Sequence, residues 1–154
     1  MGHLRPAPKE PVLAGGEYIA HFANELFEGN RTRCRLDLPH DLPAQPLPPD
    51  LRHNIFLVVK EALTNVLRHA AASEVQVQAK VSGRRLEIQV HDNGQGFEPL
   101  APSVPTERHG LENMRRRADA IGGTLTIQSQ RDGGTTVLLA VNFPAWKATA
   151  RAAG

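Results

Sequence analysis

Two pairs of alternating apolar and polar segments, each joined by a glycine-containing turn, constrain this chain more than any other feature. In the first pair, Val75, Val77, Ala79 and Val81 alternate with polar residues, Ser82-Gly83 follows, and Leu86, Ile88 and Val90 alternate again. In the second, Leu125 and Ile127 lead to Asp132-Gly133-Gly134, and Val137, Leu139 and Val141 return. A two-residue period puts every apolar side chain on one face of a strand. A short turn can join only antiparallel neighbours. The chain must therefore build a sheet with one apolar face, and a doubly wound parallel fold is disfavoured because it needs a long crossover between strands.

Something must cover that face, and three helical patterns are available. Tyr18, Ile19, Phe22, Leu26 and Phe27 recur at helical spacing, predicting a helix over about 17–28 with Gly29-Asn30 as its stop. Cys34, Leu36 and Leu38 then alternate as a further strand. Residues 39–49 carry five prolines and predict a loop. Asp50 is placed to cap a long helix over about 51–72, with Ile55, Val58, Val59, Ala62, Leu63, Val66 and Leu67 as its apolar stripe. A polar, proline-containing stretch over 92–109 precedes a third helix, about 111–121, closed by Gly122-Gly123. These elements predict an α+β, two-layer α/β sandwich: a mixed, mostly antiparallel sheet covered on one face by helices. We expect one domain over 17–144, a flexible segment over 1–16 and a frayed tail over 145–154.

Composition excludes several function classes. With 154 residues, 40% apolar and 22% charged, the chain resembles an ordinary globular domain. No stretch approaches the roughly 20 apolar residues of a membrane span, and prolines at 6, 8 and 11 break the N-terminus before any leader-like apolar run. A formal charge of +2 gives no case for nucleic acid. Arg115, Arg116 and Arg117 read as a solvated helix face. The single cysteine, Cys34, can form no internal disulfide and fits a reducing cytoplasm, as a buried or half-buried strand residue.

Four groups of residues carry chemistry. Glu61, Asn65, Arg68 and His69 share one face of the long helix, beside its apolar stripe. A carboxylate and a carboxamide one turn apart offer oxygens to a hard cation such as Mg²⁺, and Arg68 can meet a phosphate. Asp92-Asn93-Gly94-Gln95-Gly96-Phe97 follows a strand directly; its glycines allow a close backbone approach, and Asp92 can accept a hydrogen bond from an exocyclic amine. His109-Gly110-Leu111 opens the third predicted helix, where backbone N–H groups favour an anion. Gly133-Gly134-Thr135-Thr136 lies between the last two strands, where a hairpin explains the glycines and Thr135 can hold a water beside a base. Each group alone also reads as an ordinary turn, cap or solvated face.

Together, and in this order, they resemble the GHKL ATPase superfamily, and within it the histidine kinases that pair with helix-turn-helix response regulators. Glu61 to Ala70 resembles the N box, Asp92 to Phe97 the G1 box, and His109 to Met114 the G2 box. Gly122 to Leu125 and Gly134 to Val137 resemble the closing segments, so the likeness covers roughly 17–144. The resemblance implies ATP and Mg²⁺ as ligands. It implies Asn65 on the metal, Glu61 beside the reacting group, and Arg68 and His69 on the phosphate side. It implies Asp92 on the adenine amine with Thr135 nearby, Gly94, Gly96, Gly110 and Leu111 shaping the pocket, and residues 98–109 as a short lid. The implied reaction passes the γ-phosphoryl group to a histidine on a separate dimerisation domain, with a response regulator further downstream. The isolated chain is then expected to be a cytoplasmic monomer, without nucleic-acid or direct membrane contact and with little autokinase activity.

An acceptor histidine is not expected within the chain. His40-Asp41, with Gln45, resembles an acceptor string, yet Pro39, Pro43 and Pro46 forbid the helix such a histidine needs. The competing reading is an anti-sigma-factor-type serine kinase of the same superfamily, which also binds its sigma factor. The arginine-bearing helix ending in Gly122-Gly123-Thr124 looks more like a sensor kinase.

Overall fold

The structure is a computed structural model and describes residues 12–38, 47–96 and 105–142. The expected lead-in before residue 12, most of the proline loop with His40, Phe97 with most of the lid, and the C-terminal tail lie outside these. In chain order the elements are α1 (Val12–Phe27), β1 (Arg33–Asp37), α2 (Pro49–Asn65) running into a π-helical turn (Val66–Ala70), β2 (Glu74–Ser82), β3 (Arg85–Asp92), α3 (Pro105–Ala120), β4 (Thr124–Ser129) and β5 (Thr135–Asn142).

The five strands form one sheet in the order β1-β2-β3-β5-β4. β1 runs parallel to β2 and every other pair is antiparallel. Both predicted hairpins are present, and β5 inserts between β3 and β4. The inward residues align across strands: Val77 faces Val90, which faces Val137, and Ile88 faces Leu139. With Val58, Val59, Leu63 and Met114 of the helices they form one buried core. The opposite sheet face carries charged and amide pairs, including Arg35–Glu74 and Gln78–Asp37. This is the predicted α+β sandwich, with helices on one face.

Several boundaries differ from expectation. α1 begins at Val12, five residues before Glu17, and so takes in Gly15-Gly16. α2 begins at Pro49, with Pro48 at the cap position and no side-chain capping bond; Asp50 lies inside the first turn instead. Proline is suited to a first turn, whose N–H groups lack intrahelical partners, and an acid there complements the helix dipole. The long helix is not α-helical to its end: its last turn is π, and Ala71 leaves it with φ of 51°. Helix α3 starts at Pro105, well before Leu111. It ends as expected, with Gly122 at φ of 67° and the Gly123 N–H donating to the Ala118 carbonyl at 2.8 Å. Cys34 is half-buried, and burial pushes its thiol pKa up.

Candidate functional site

The site lies where the C-terminal end of α2 meets the end of β3, the start of β5 and one face of α3. Asp92 is the last residue of β3, and the register sets it directly opposite Thr135, the first of β5. Only 3% of its surface is exposed. Its carboxylate accepts the Gly94 N–H at 2.7 Å and the Thr135 backbone N–H. Burial raises its pKa, and the Gly94 N–H, the neighbouring His91 and the Thr135 N–H partly oppose that rise.

The loop after Asp92 is held tightly. A β-carbon at Gly94 would run into the Ala70 carbonyl, and one at Gly134 into the Asp92 carbonyl, so both backbones approach within a distance only glycine permits. Asn93 secures the same loop from outside: its Oδ1 accepts the Ser73 and Glu74 N–H groups at 3.0 and 3.1 Å, and its Nδ2 donates to Ser73 Oγ at 2.9 Å.

A cleft of about 540 Å³, counting space open to solvent, runs across these elements. Asn65, His69, Asp92, Gly96, Leu111 and Thr135 line it, so the fold brings together six of the residues singled out from sequence. Its apolar walls are Ala62, Val66, Ala70, Val90, Met114 and Val137. Ala62, Val66, Val90 and Val137 were legible as core positions and Ala70 and Met114 only as ends of motif segments, because hydrophobic periodicity does not say which core side chains border a cavity. Ser129 was also missed; its hydroxyl lies 2.7 Å from Thr135 Oγ1 and orients it.

Other expected residues stand apart from the cleft. Glu61 is half-buried and faces Gly110 of α3 rather than the cavity. Arg68 is exposed and does not line the cleft. Helical spacing accounts for this: residues 62, 65, 66, 69 and 70 share the face that lines the cleft, and residue 68 projects from another side. Gly110 is not at a helix start. It lies inside α3, five residues after Pro105, so its N–H is no terminal anion donor; it is instead buried where α3 crosses α2.

The polar chemistry of the cleft suits a ligand with one amine-bearing end. Asp92 offers a buried acceptor at one side. His69 also lines the cleft, and its Nε2 is shielded from solvent and has no hydrogen-bond partner among the described residues. A buried polar atom left unpaired is costly, and a bound group that pairs it removes the cost. Asn65 adds a carboxamide to the cleft, and Glu61, one helical turn before it, holds a carboxylate beside Gly110 outside the cleft lining; hard oxygen donors suit Mg²⁺.

Comparison with known proteins gives the family and the fold. Residues 51–145 match the model of the histidine kinase-, DNA gyrase B-, and HSP90-like ATPase family. Sensor histidine kinase LiaS of Bacillus subtilis is 32% identical over 135 residues, covering 88% of this chain and 36% of the relative. The chain thus spans little more than a third of that protein. Among solved structures, the histidine kinase domain of the blue-light activated kinase of Erythrobacter litoralis EL346 superposes with a TM-score of 0.70 at 24% identity, over 92% of this chain and 65% of that one. Full-length ShkA in complex with AMPPNP superposes with a TM-score of 0.71 at 19% identity, over 94% and 32% respectively. At these identities the structural matches speak for the fold.

Proposed function

This chain belongs to the histidine kinase-, DNA gyrase B-, and HSP90-like ATPase family, and from that membership we propose that it is the ATP-binding catalytic domain of a sensor histidine kinase. The observation that carries the reading is that the buried Asp92 and His69, whose Nε2 has no hydrogen-bond partner among the described residues, line one cleft. Asp92 accepts the adenine amine, with Thr135 beside it, and the apolar walls take the flat faces of the base. The AMPPNP held by the structurally similar ShkA supports an adenine nucleotide as the ligand.

The phosphate tail then runs toward α2. Asn65 is the residue that would hold Mg²⁺, with Glu61 beside the reacting group, the remaining ligands coming from phosphate oxygens and water. When bound, the metal neutralises charge on the phosphates during transfer. His69 meets the phosphate-bearing side from within the cleft, and Arg68 can reach it only from the surface. The acceptor is a histidine nitrogen on a separate dimerisation domain: the N–P bond forms as the bond between the γ-phosphorus and its bridging oxygen breaks, leaving ADP. The chain's contribution is positioning and electrostatics, without a covalent intermediate on its own side chains. A response regulator takes the phosphoryl group later. The reading puts the domain in the cytoplasm, free or as the cytosolic part of an anchored kinase; no helix among the described residues is long and apolar enough to cross a membrane. The anti-sigma-type reading is not favoured, since LiaS is a sensor kinase.

The test is calorimetric titration with AMPPNP, with and without Mg²⁺, followed by incubation with ATP and a dimerisation domain from a related kinase. Binding strengthened by Mg²⁺ and weakened in Asp92→Ala and Asn65→Ala, with acid-labile phosphohistidine on the added domain, is the expected result. No binding at millimolar nucleotide, or acid-stable phosphoserine on a partner, would overturn it.

A further inference from the structure

Gln95 stands between the glycines of the Asp92 loop, exposed to solvent yet bonded at three points. Its backbone N–H donates to the Ala70 carbonyl at 2.7 Å, and its side-chain Nε2 donates to the His69 carbonyl at 2.5 Å. Its own carbonyl accepts the Asp132 N–H at 2.5 Å. His69 and Ala70 are the last two residues of the π turn, and carbonyls at a helix C-terminus have no intrahelical partner. The chain turns left-handed at Ala71, and it is Gln95 that satisfies both carbonyls.

The helix end that Gln95 closes carries His69, which lines the cleft and whose Nε2 is shielded and has no hydrogen-bond partner among the described residues. Through Asp132, the same residue reaches the turn that leads to Thr135. One side chain thus ties the amine-binding loop to the peptide of the histidine that lines the cleft.

We propose that Gln95 is a positioning residue. By capping the His69 and Ala70 carbonyls it fixes the orientation in which His69 presents Nε2 to the phosphate-bearing part of a bound nucleotide. This rests on the nucleotide reading above and adds to it. A surface glutamine whose bonds merely hold the loop would affect all ligands of the cleft alike; a residue acting through His69 affects only those that reach it.

The experiment measures adenosine and Mg·AMPPNP binding to the intact chain and to Gln95→Met, His69→Ala and the double variant. Gln95→Met keeps the length of the side chain and removes the donor. It should weaken Mg·AMPPNP about tenfold while leaving adenosine within about twofold, the scale expected for one oriented hydrogen bond. In the His69→Ala background the same change should alter Mg·AMPPNP binding by less than about twofold, because coupled residues are non-additive. If Gln95→Met fails to fold, Gln95→Leu removes the same donor without adding a charge. Unchanged affinity, equal losses for both ligands, or additivity with His69→Ala would overturn the role of Gln95 alone. No binding of either ligand by the unsubstituted chain would overturn the nucleotide reading, and this proposal with it.

Discussion

The Glu61 carboxylate of α2 rests against Gly110 of α3 so closely that a β-carbon on residue 110 would lie 2.5 Å from Oε2. Asn65, one turn along α2, has its amide nitrogen 3.4 Å from the same point. The absence of a side chain at residue 110 therefore sets how near α3 comes to the two residues proposed for the metal and the reacting group.

Gly110→Ala should separate activity from stability. Alanine in a helix interior is favoured over glycine by about 0.5–1 kcal/mol, and the clashing atom is the end of a side chain that can rotate away. The melting temperature should hold or rise slightly, while phosphotransfer to an added dimerisation domain falls, by an estimated tenfold or more, as Glu61 is displaced. Thermal melts beside a phosphotransfer assay check this; a parallel loss of both would show that the contact only holds the helices together.

Asp92→Asn should preserve the fold and lose the ligand. The amide oxygen can still accept the Gly94 N–H, but its NH₂ group faces an adenine amine donor to donor. Nucleotide affinity should drop by roughly 10- to 100-fold with an unchanged circular dichroism spectrum. Retained affinity would remove Asp92 from the base-binding role.

The same variant should reveal the cost of the buried acid. Burial raises the Asp92 pKa above its ordinary value of 3.8, so the folded chain holds this proton more readily than the unfolded chain. The stability this group contributes is fully present below the ordinary value and is lost as pH rises through the raised one. Asp92→Asn should therefore be more stable than the parent at about pH 7, and the difference should vanish below about pH 4. Urea melts across that range measure it; an advantage that persists in acid would refute the sign.

Gly134 and Gly83 both have positive φ, 82° and 62°, but different surroundings. A β-carbon at Gly134 meets the Asp92 backbone, whereas nothing lies within 4 Å of one at Gly83. Gly134→Ala should cost at least about 2 kcal/mol, since strain and a clash with backbone add. Gly83→Asn, a residue tolerant of left-handed backbone, should cost under about 1 kcal/mol. Chemical denaturation of both variants compares them directly.

Much of the fold and half of the site could be read from local signals. The two-residue alternation at 75–81, 86–90 and 137–141 assigned each side chain to a face, because pleating is a property of neighbouring residues. The acid at a strand end followed by Gly94 and Gly96 marked the loop that borders the cleft. Other features depend on partners distant in sequence. Strand order put β5 beside β3 and brought Thr135 opposite Asp92, and no periodicity specifies which strand neighbours which. Arg68 is exposed while His69 lines the cleft, and the helix end that carries both is bonded by Gln95 from another segment. The early start of α3 moved Gly110 from a presumed anion site to a helix crossing. Sequence alone determined which face each element buries, because that follows from spacing along one stretch of chain; only tertiary packing decided what each buried face meets, and so which polar atoms share the cleft.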